Sequence, residues 1–257
     1  MAIEDLTQLE ILQGSTSVVY AIVGTIIGAI IASKYYAYKR SELLGIGLSL
    51  IFATVPWYAA GISFLTFVFF GFILADPLYL FISYGFVAIT IICFMFGITK
   101  LIWPNTAKKI VAIISIIYIV YEIVIIFLLI TDIQLVAVKQ GKFISNQAMF
   151  ITVFGGFSAL VILITMIMFI RQCFMTESLR IKWKGRFLLI AVFLLIIGSM
   201  IENMWINLDD INVILPPSII IIMLVIARIM LITRLIFSYL GWLLPPSVAK
   251  WLIKDEE

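Results

Sequence analysis

Long apolar segments alternate along this chain with short polar stretches, and this pattern predicts helices that cross a membrane. A helical span needs about 20 apolar residues. Seven segments of the required length lie at 11–33, 43–63, 77–100, 109–131, 148–170, 187–206 and 216–239. The pattern therefore predicts an all-α, polytopic membrane protein with a seven-helix transmembrane bundle over residues 11–240.

The second apolar run is too long for one span. Leu43 to Ala75 covers 33 residues, about 50 Å as a helix, against a hydrocarbon core of about 30 Å. We expect a span over 43–63, kinked at Pro56. The rest, Phe64 to Ala75, is then an aromatic flap in the outer interface or a re-entrant segment. A single, strongly tilted helix as far as Ala75 is the alternative.

Two shorter elements are predicted outside the spans. The alternation of side chains around Gln140-Gly141, within 132–147, predicts a short β-hairpin cap. The tail 241–257 contains Trp242 and Trp251, lysines four residues apart at Lys250 and Lys254, and Pro245-Pro246, which can open a helix. It is expected to form a short amphipathic helix on the cytoplasmic membrane surface. Residues 1–10 are expected to form an extracellular tail.

The composition supports a membrane protein and removes many enzyme classes. Of 257 residues 64% are hydrophobic and 12% charged, with a mean hydropathy of +1.23, whereas soluble domains are about half apolar and a quarter charged. Histidine is absent, which removes the commonest general base and transition-metal ligand. Cys93 and Cys173 form no metal or redox spacing. We expect no enzyme, no metal and no nucleic-acid partner.

The distribution of basic residues predicts the orientation. Loops 34–42, 100–109 and 171–186 hold three, three and five Lys or Arg, and Arg234 and the tail add more on the same side. The opposite side holds only Lys139 and Lys142 with several acidic residues. The positive-inside rule then puts the N-terminus outside the cell membrane and the C-terminus in the cytoplasm.

Ionisable residues inside spans are candidates for function, because burying them in lipid is costly. Glu122 and Arg228 are the clear cases, and Glu202 lies at an outer edge. From the helical rise, Glu122 is expected about 18 Å and Arg228 about 9 Å from the inner boundary. Arg228 is expected to couple the helices to the cytoplasmic face. The alternatives are snorkelling of Arg228 towards inner headgroups and a neutral Glu122 hydrogen-bonded inside the bundle.

Aromatic and polar residues at similar outer depths predict a ligand pocket, since such sites combine apolar walls with few polar groups. Membrane-interface anchoring is the alternative reading of the same aromatic residues. The expected ligand-binding residues are Trp57, Tyr58, Tyr79, Tyr84, Tyr118, Tyr121, Glu122, Glu202 and Asn203.

Two further features predict contacts with partners. Gly24 and Gly28 form a small-residue stripe that indicates either packing within the bundle or a homo-oligomer. The loop 171–186 determines topology and is expected to contact anionic headgroups or a cytoplasmic protein. Its four basic residues at the sixth span are Arg180, Lys182, Lys184 and Arg186.

Seven helices in this orientation resemble the plan of G-protein-coupled receptors and microbial rhodopsins, without their motifs. Thr99-Lys100-Leu101 stands where receptors carry Asp-Arg-Tyr, and the last span has no lysine for a retinal Schiff base, so no cofactor is expected. Residues 11–240 resemble, in helix number and length, the seven-helix sensory region that precedes prokaryotic histidine kinases. That resemblance implies sensing of a ligand or of the membrane state.

These observations favour a prokaryotic receptor-like or sensory membrane protein that recognises a small or lipidic ligand and signals to a separate cytoplasmic partner. A transporter or lipid-translocating protein is the second hypothesis, although no inverted repeat or pair of broken helices is visible. A structural subunit of a membrane complex is the third. A polar track joining both sides at Glu122 and Arg228 would favour transport, and an outer cavity would favour sensing.

Overall fold

The computed structural model describes residues 2–207 and 216–253. In that part the chain forms ten α-helices and one two-stranded sheet. The helices are α1 (Gln8–Tyr38), α2 (Ser41–Ala53), α3 (Val55–Phe70), α4 (Asp76–Tyr84), α5 (Val87–Ile102), α6 (Ala107–Thr131), α7 (Met149–Met175), α8 (Leu179–Asn207), α9 (Pro217–Leu243) and α10 (Pro246–Leu252). The strands are β1 (Ala137–Gln140) and β2 (Ile144–Gln147). The acidic connector predicted at Asp209 and Asp210 and the end of the tail, 254–257, lie outside the described residues.

The helices make this an all-α, multi-pass membrane protein. Six segments, five single helices and the stretch formed by α4 and α5, are long and apolar enough to cross a membrane. The bent pair α2–α3 brings the number to as many as seven. The six cover Gln8–Tyr38, Asp76–Ile102, Ala107–Thr131, Met149–Met175, Leu179–Met204 and Ser218–Leu243. In the apolar window of 76–102 half the residues are buried, against 17% in α6, so α4–α5 is central and α6 peripheral.

Most helices are longer than the apolar pattern predicts, because polar residues extend them beyond the apolar segments. The expected loop 171–186 consists mostly of the end of α7 and the start of α8, with only 176–178 between them. The expected tail 1–10 instead contains the first turn of α1. Thr7 and Glu10 form a reciprocal capping box there, a local signal that satisfies two free amide groups.

The predicted aromatic flap is wrong over most of its length. The helix bends by 42° at the break between α2 and α3, with Pro56 in the first turn of α3, and then continues to Phe70. It ends at Gly71, whose positive φ of 75° lets its amide bond to the Phe67 carbonyl, as helix C-caps require. Phe64 is buried against Phe143, so packing holds this segment in the helix.

The third predicted span, 77–100, is also interrupted, which the sequence analysis did not expect. α4 ends at Tyr84, and Gly85-Phe86 separates it from α5. The Gly85 amide bonds to the Phe81 carbonyl, and a Cβ at Gly85 would lie 2.7 Å from the same oxygen. Two neighbouring spans, α2–α3 and α4–α5, are therefore both broken helices.

The predicted β-hairpin is confirmed. β1 and β2 pair antiparallel, with Gln140 opposite Ile144 and Gly141 in the turn at φ 70°. Several contacts fasten the hairpin to the bundle, among them a hydrogen bond from Tyr79 to the Phe143 carbonyl at 2.8 Å, an ion pair of Lys139 with Asp76 at 3.0 Å and a hydrogen bond from Lys142 to the Asp5 carbonyl at 2.7 Å. We call this side of the bundle the hairpin end.

The opposite side carries the junctions α1–α2, α5–α6 and α7–α8 together with α10, and we call it the basic end. The predicted tail helix forms there, opened by Pro245-Pro246 as α10. Lys100 crosses from α5 to donate to Ser41 at 2.7 Å, which ties the first two of these junctions together.

The glycine stripe of α1 packs inside the chain. A Cβ at Gly28 would lie 2.6 Å from Ile51 Cγ1 and 2.7 Å from the Gly47 carbonyl, and one at Gly24 would collide with Thr54. Close approach of α1 and α2 therefore depends on these glycines. Since both are buried against α2, this surface is taken up within one copy of the protein.

Candidate functional site

A buried ion pair joins α8 and α9 near the hairpin end. Glu202 Oε2 accepts a hydrogen bond from Arg228 Nη1 at 2.9 Å, and Glu202 Oε1 lies 2.8 Å from Arg228 Nη2 in the same ion pair. Gln13 Oε1 of α1 also accepts from Arg228 Nη2 at 2.7 Å. Only 2% of Arg228 and 8% of Glu202 is exposed. Arg228 therefore does not snorkel to headgroups, and its partner is Glu202 rather than Glu122.

The direction of the Arg228 side chain follows from helix geometry. Side chains lean towards the N-terminus of their own helix, and the start of α9 packs at the hairpin end, where Ile220 contacts Ile144. Arg228 lies about 17 Å along α9 from Pro217 and extends back towards that end. Gln13 was not among the predicted site residues, although an amide in an apolar helix is a recognisable interhelical hydrogen-bonding residue.

Two buried arginines are connected through an aromatic pair. The Arg228 guanidinium carbon lies 5.7 Å from the centre of the Trp57 ring, and Trp57 packs edge-on against Tyr20 at 4.6 Å. The Tyr20 hydroxyl accepts a hydrogen bond from Arg234 Nη2 at 2.8 Å. Arg234 is buried, so its side chain lies inside the bundle rather than in a loop at the basic end.

A cavity of about 260 Å³, here called the hairpin-end cavity, lies beside this pair. It brings together six of the nine predicted ligand-binding residues. These are Trp57, Tyr79, Tyr84, Tyr121, Glu202 and Asn203. Further polar groups come from the hairpin and the helices, namely Gln13, Ser83, Ser145, Gln147 and Ser199. The wall thus combines aromatic rings with polar side chains, and polar groups of this kind orient a ligand in its site.

A second cavity of about 440 Å³, here called the apolar cavity, adjoins the first. The two share seven lining residues: Pro56, Trp57, Ser83, Val87, Gly155, Ser199 and Asn203. The remaining lining is almost entirely apolar. On its α7 and α8 side Gly155, Ala159 and Met200 are exposed, and a Cβ at Gly155 would meet nothing within 4 Å. The apolar cavity therefore opens sideways, between two membrane helices.

Three predicted pocket residues lie elsewhere. The Tyr58 hydroxyl is hydrogen-bonded to Thr25 of α1, and the Tyr118 hydroxyl shares a hydrogen bond with Ser158 at 2.7 Å. Neither side chain lines the hairpin-end or the apolar cavity. Helical spacing placed these tyrosines at the right depth, but it did not reveal which way each helix face turns.

Glu122 is also outside both cavities. It is half-buried on the peripheral helix α6, and its Oε2 has no hydrogen-bond partner among the described residues. No ion pair between Glu122 and Arg228 exists in that part of the chain, where Arg228 pairs with Glu202. Among the described residues, Glu122 and Arg228 therefore do not form a polar track across the bundle.

Two of the four predicted contact residues of the basic end bind the chain itself. Lys184 Nζ donates to the Trp242 carbonyl at 3.2 Å, and Arg180 Nη2 donates to the Leu244 carbonyl at 3.4 Å. Both carbonyls lie at the C-terminal end of α9, where free carbonyls and the helix dipole favour cations. Arg186 stacks on Trp183, with its guanidinium carbon 4.4 Å from the ring centre. Lys182 is half-exposed.

Among the described residues no group of three or more Cys, Asp or Glu side chains is arranged to hold a metal ion. In comparisons with known proteins, no family model matches the chain, and no curated protein matches it. Fold and site together define a class, an all-α multi-pass membrane protein with a buried Arg–Glu pair beside an amphipathic cavity. The chemistry of that cavity is the basis for a function.

Proposed function

We propose that the protein is a receptor-like membrane protein whose ligand is a single-chain amphiphile with an uncharged, hydrogen-bonding head. The observation that carries the proposal is the junction of the hairpin-end cavity with the apolar cavity. A polar, aromatic space of about 260 Å³ continues into an apolar space of about 440 Å³. A lipidic molecule fits this division, with its head near Asn203 and its chain between α7 and α8.

The charge of the site favours an uncharged head. Glu202 is neutralised by its ion pair with Arg228, so the ionic groups at the hairpin-end cavity leave no net charge. The hydroxyls of Tyr79 and Tyr84 are engaged with the hairpin, at Phe143 and Ser145. A hydroxyl, which donates and accepts, or an ester, which only accepts, matches such a site better than a charged phosphate would.

We propose that the hairpin end faces the outside and the basic end the cytoplasm. The basic residues near the α1–α2, α5–α6 and α7–α8 junctions support this orientation under the positive-inside rule. A cytoplasmic signalling protein then docks at the basic end, near the exposed Arg186 and α10. No enzyme activity is part of this proposal.

The proposal is tested with a photoreactive probe. Purified protein in phosphatidylcholine vesicles is irradiated with a diazirine-bearing monoacylglycerol, and the labelled peptides are mapped by mass spectrometry. Labelling is expected on α7 and α8. Gly155→Trp, which fills the lateral opening, is expected to reduce it at least fivefold.

Gly156→Trp is the matched control. Gly156 is exposed like Gly155, and a Cβ there also meets nothing within 4 Å, but it lines neither cavity. Its labelling should equal that of the unsubstituted protein. Equal labelling of both variants, or labelling spread evenly over α6, would show only general contact with lipid and would remove the receptor proposal.

Lipid translocation is the second candidate, and the succession of cavities favours it. The apolar cavity shares Ala53, Thr90, Ile162, Val192 and Leu195 with a smaller cavity near Arg234. That cavity shares Trp242 with one of about 290 Å³ at the basic end, lined by Arg40 and Lys184. The four cavities thus adjoin from one end of the bundle to the other, between broken helices that are typical of transporters.

Fluorescent lipid in proteoliposomes separates the two candidates. Dithionite bleaches fluorescent lipid in the outer leaflet only. If the protein is a receptor, about half of the total fluorescence is therefore expected to be lost. Complete bleaching that depends on the protein, and that Gly155→Trp slows, would favour translocation.

A further inference from the structure

The small cavity near the basic half of the bundle, about 80 Å³ in volume, contains an unusual cation. We call it the arginine cavity. Of the described residues that line it, Arg234 alone is charged, and Ser49 and Ser238 are among the few polar ones. Only 7% of the surface of Arg234 is exposed, so more than nine-tenths of the residue is buried.

Arg234 differs from Arg228 in its partners. Arg228 has a carboxylate and an amide oxygen, whereas the hydrogen bond found for Arg234 goes to a neutral hydroxyl, that of Tyr20. Within the described residues Arg234 takes part in no salt bridge, and its Nε has no hydrogen-bond partner. A guanidinium remains protonated in proteins, and a buried charge without a partner is strongly unfavourable.

We propose that Arg234 binds a monovalent anion in the arginine cavity, a halide or a carboxylate. The volume of about 80 Å³ admits chloride or a carboxylate group. The Nε donor of the guanidinium, which has no hydrogen-bond partner, suits an anion with lone pairs, and charge-assisted hydrogen bonds of this kind are short and strong. Ser238 supplies a hydroxyl on the same helix, one turn further on.

The anion has two possible sources, a free ion or the head of a fatty acid. The arginine cavity shares Ala53, Thr90 and Val192 with the apolar cavity, so an alkyl chain attached to a carboxylate would have space. Both sources present the same chemistry to Arg234. The inference rests on the arginine cavity alone and holds whether or not the hairpin-end cavity binds an uncharged amphiphile.

The test adds anions that fit the arginine cavity to a bulk salt whose anion is too large to enter it. Full-length protein in phosphatidylcholine nanodiscs is kept in sodium gluconate, and chloride, acetate or decanoate is added, with decanol as the uncharged control. The thermal midpoint is read with a thiol-reactive dye on Cys93 and Cys173. A bound anion stabilises the folded state by mass action, and we expect the midpoint to rise by about 2–4 °C.

Variants decide the assignment. Arg234→Gln is expected to abolish the rise, while Arg186→Gln, an equal loss of charge at an exposed residue, keeps it. If Arg234→Gln does not fold, Ala191→Leu fills the arginine cavity, which Ala191 lines, without removing charge, and is also expected to abolish the rise.

A response to chloride and acetate identifies a free-anion site, and a response to decanoate without acetate or decanol identifies a fatty-acid head. No response to any anion, or an equal response in Arg234→Gln or Ala191→Leu, overturns the proposal. Photolabelling by the uncharged monoacylglycerol does not depend on Arg234, so failure of this inference leaves that result unchanged.

Discussion

The Arg228–Glu202 pair is the residue-scale feature that the rest of the site depends on. Moving each charge out of water is costly, and mutual attraction repays the cost only when geometry and further hydrogen bonds are good. Here Glu202 contacts both terminal guanidinium nitrogens of Arg228, at 2.8 and 2.9 Å, and Gln13 accepts a further hydrogen bond from Arg228. Because α8, α9 and α1 each supply one group, the pair fixes these three helices relative to one another.

Removing one partner should cost more than removing both. Glu202→Leu leaves an uncompensated buried cation and is expected to destabilise the fold by about 3 kcal/mol or more. Arg228→Met is expected to cost a similar amount. The double variant Glu202→Leu/Arg228→Met should recover most of the loss, as measured by thermal unfolding in nanodiscs. Additive losses in the double variant would mean that the two groups do not act as a pair.

At this scale the sequence predicted which ionisable residues belong to the site, but it did not predict which residues they pair with. Glu202 and Arg228 were recognised because ionisable groups are rare in apolar spans. Their pairing was missed because depth was counted from the end of the apolar run, and α9 continues to Leu243. Tyr58 and Tyr118 do not line the cavities for another reason. The rotation of a helix about its axis depends on all its neighbours and could not be read from helical spacing.

At the scale of elements, local signals were sufficient where a backbone requirement identifies the residue. Gly141 with alternating neighbours predicted the hairpin, and Pro245-Pro246 predicted the start of α10. In the apolar run from Leu43 to Ala75, Pro56 marked the bend between α2 and α3, but no such signal marks a helix end between Pro56 and Gly71, so the length of α3 could not be read from hydrophobicity alone. The break at Gly85-Phe86 also lies within an apolar segment, where tertiary packing rather than local pattern decides the backbone.

The two broken spans lie beside the cavities that they help to form. Pro56 and Trp57 follow the break between α2 and α3, and Phe86 and Val87 follow or form the break between α4 and α5. All four line the apolar cavity. Side chains next to a helix break are released from the regular face, and here they face the space between α7 and α8. The interrupted helices therefore account for a cavity that a straight bundle would fill.

At the scale of the whole molecule, different kinds of side-chain contact hold the two ends of the bundle together. At the hairpin end β1–β2 is fastened to α4 and to the N-terminal segment through Tyr79, Lys139 and Lys142. At the basic end Arg180 and Lys184 bind the carbonyls that end α9. Of the first set, Tyr79 lines the hairpin-end cavity, and the carbonyls bound by the second set directly precede α10. Between the two ends, Trp57 packs on Tyr20, whose hydroxyl accepts a hydrogen bond from Arg234.

Orientation of the whole molecule can be tested by chemical labelling. In a background of Cys93→Ala/Cys173→Ala, a single cysteine is introduced at exposed Val138 of the hairpin or at exposed Glu177 between α7 and α8. A membrane-impermeant maleimide is expected to label Val138→Cys in intact cells and Glu177→Cys only after permeabilisation, because basic junctions are retained in the cytoplasm. Labelling of Glu177→Cys in intact cells would reverse the orientation, and the amphiphile would then enter the hairpin-end cavity from the cytoplasmic leaflet.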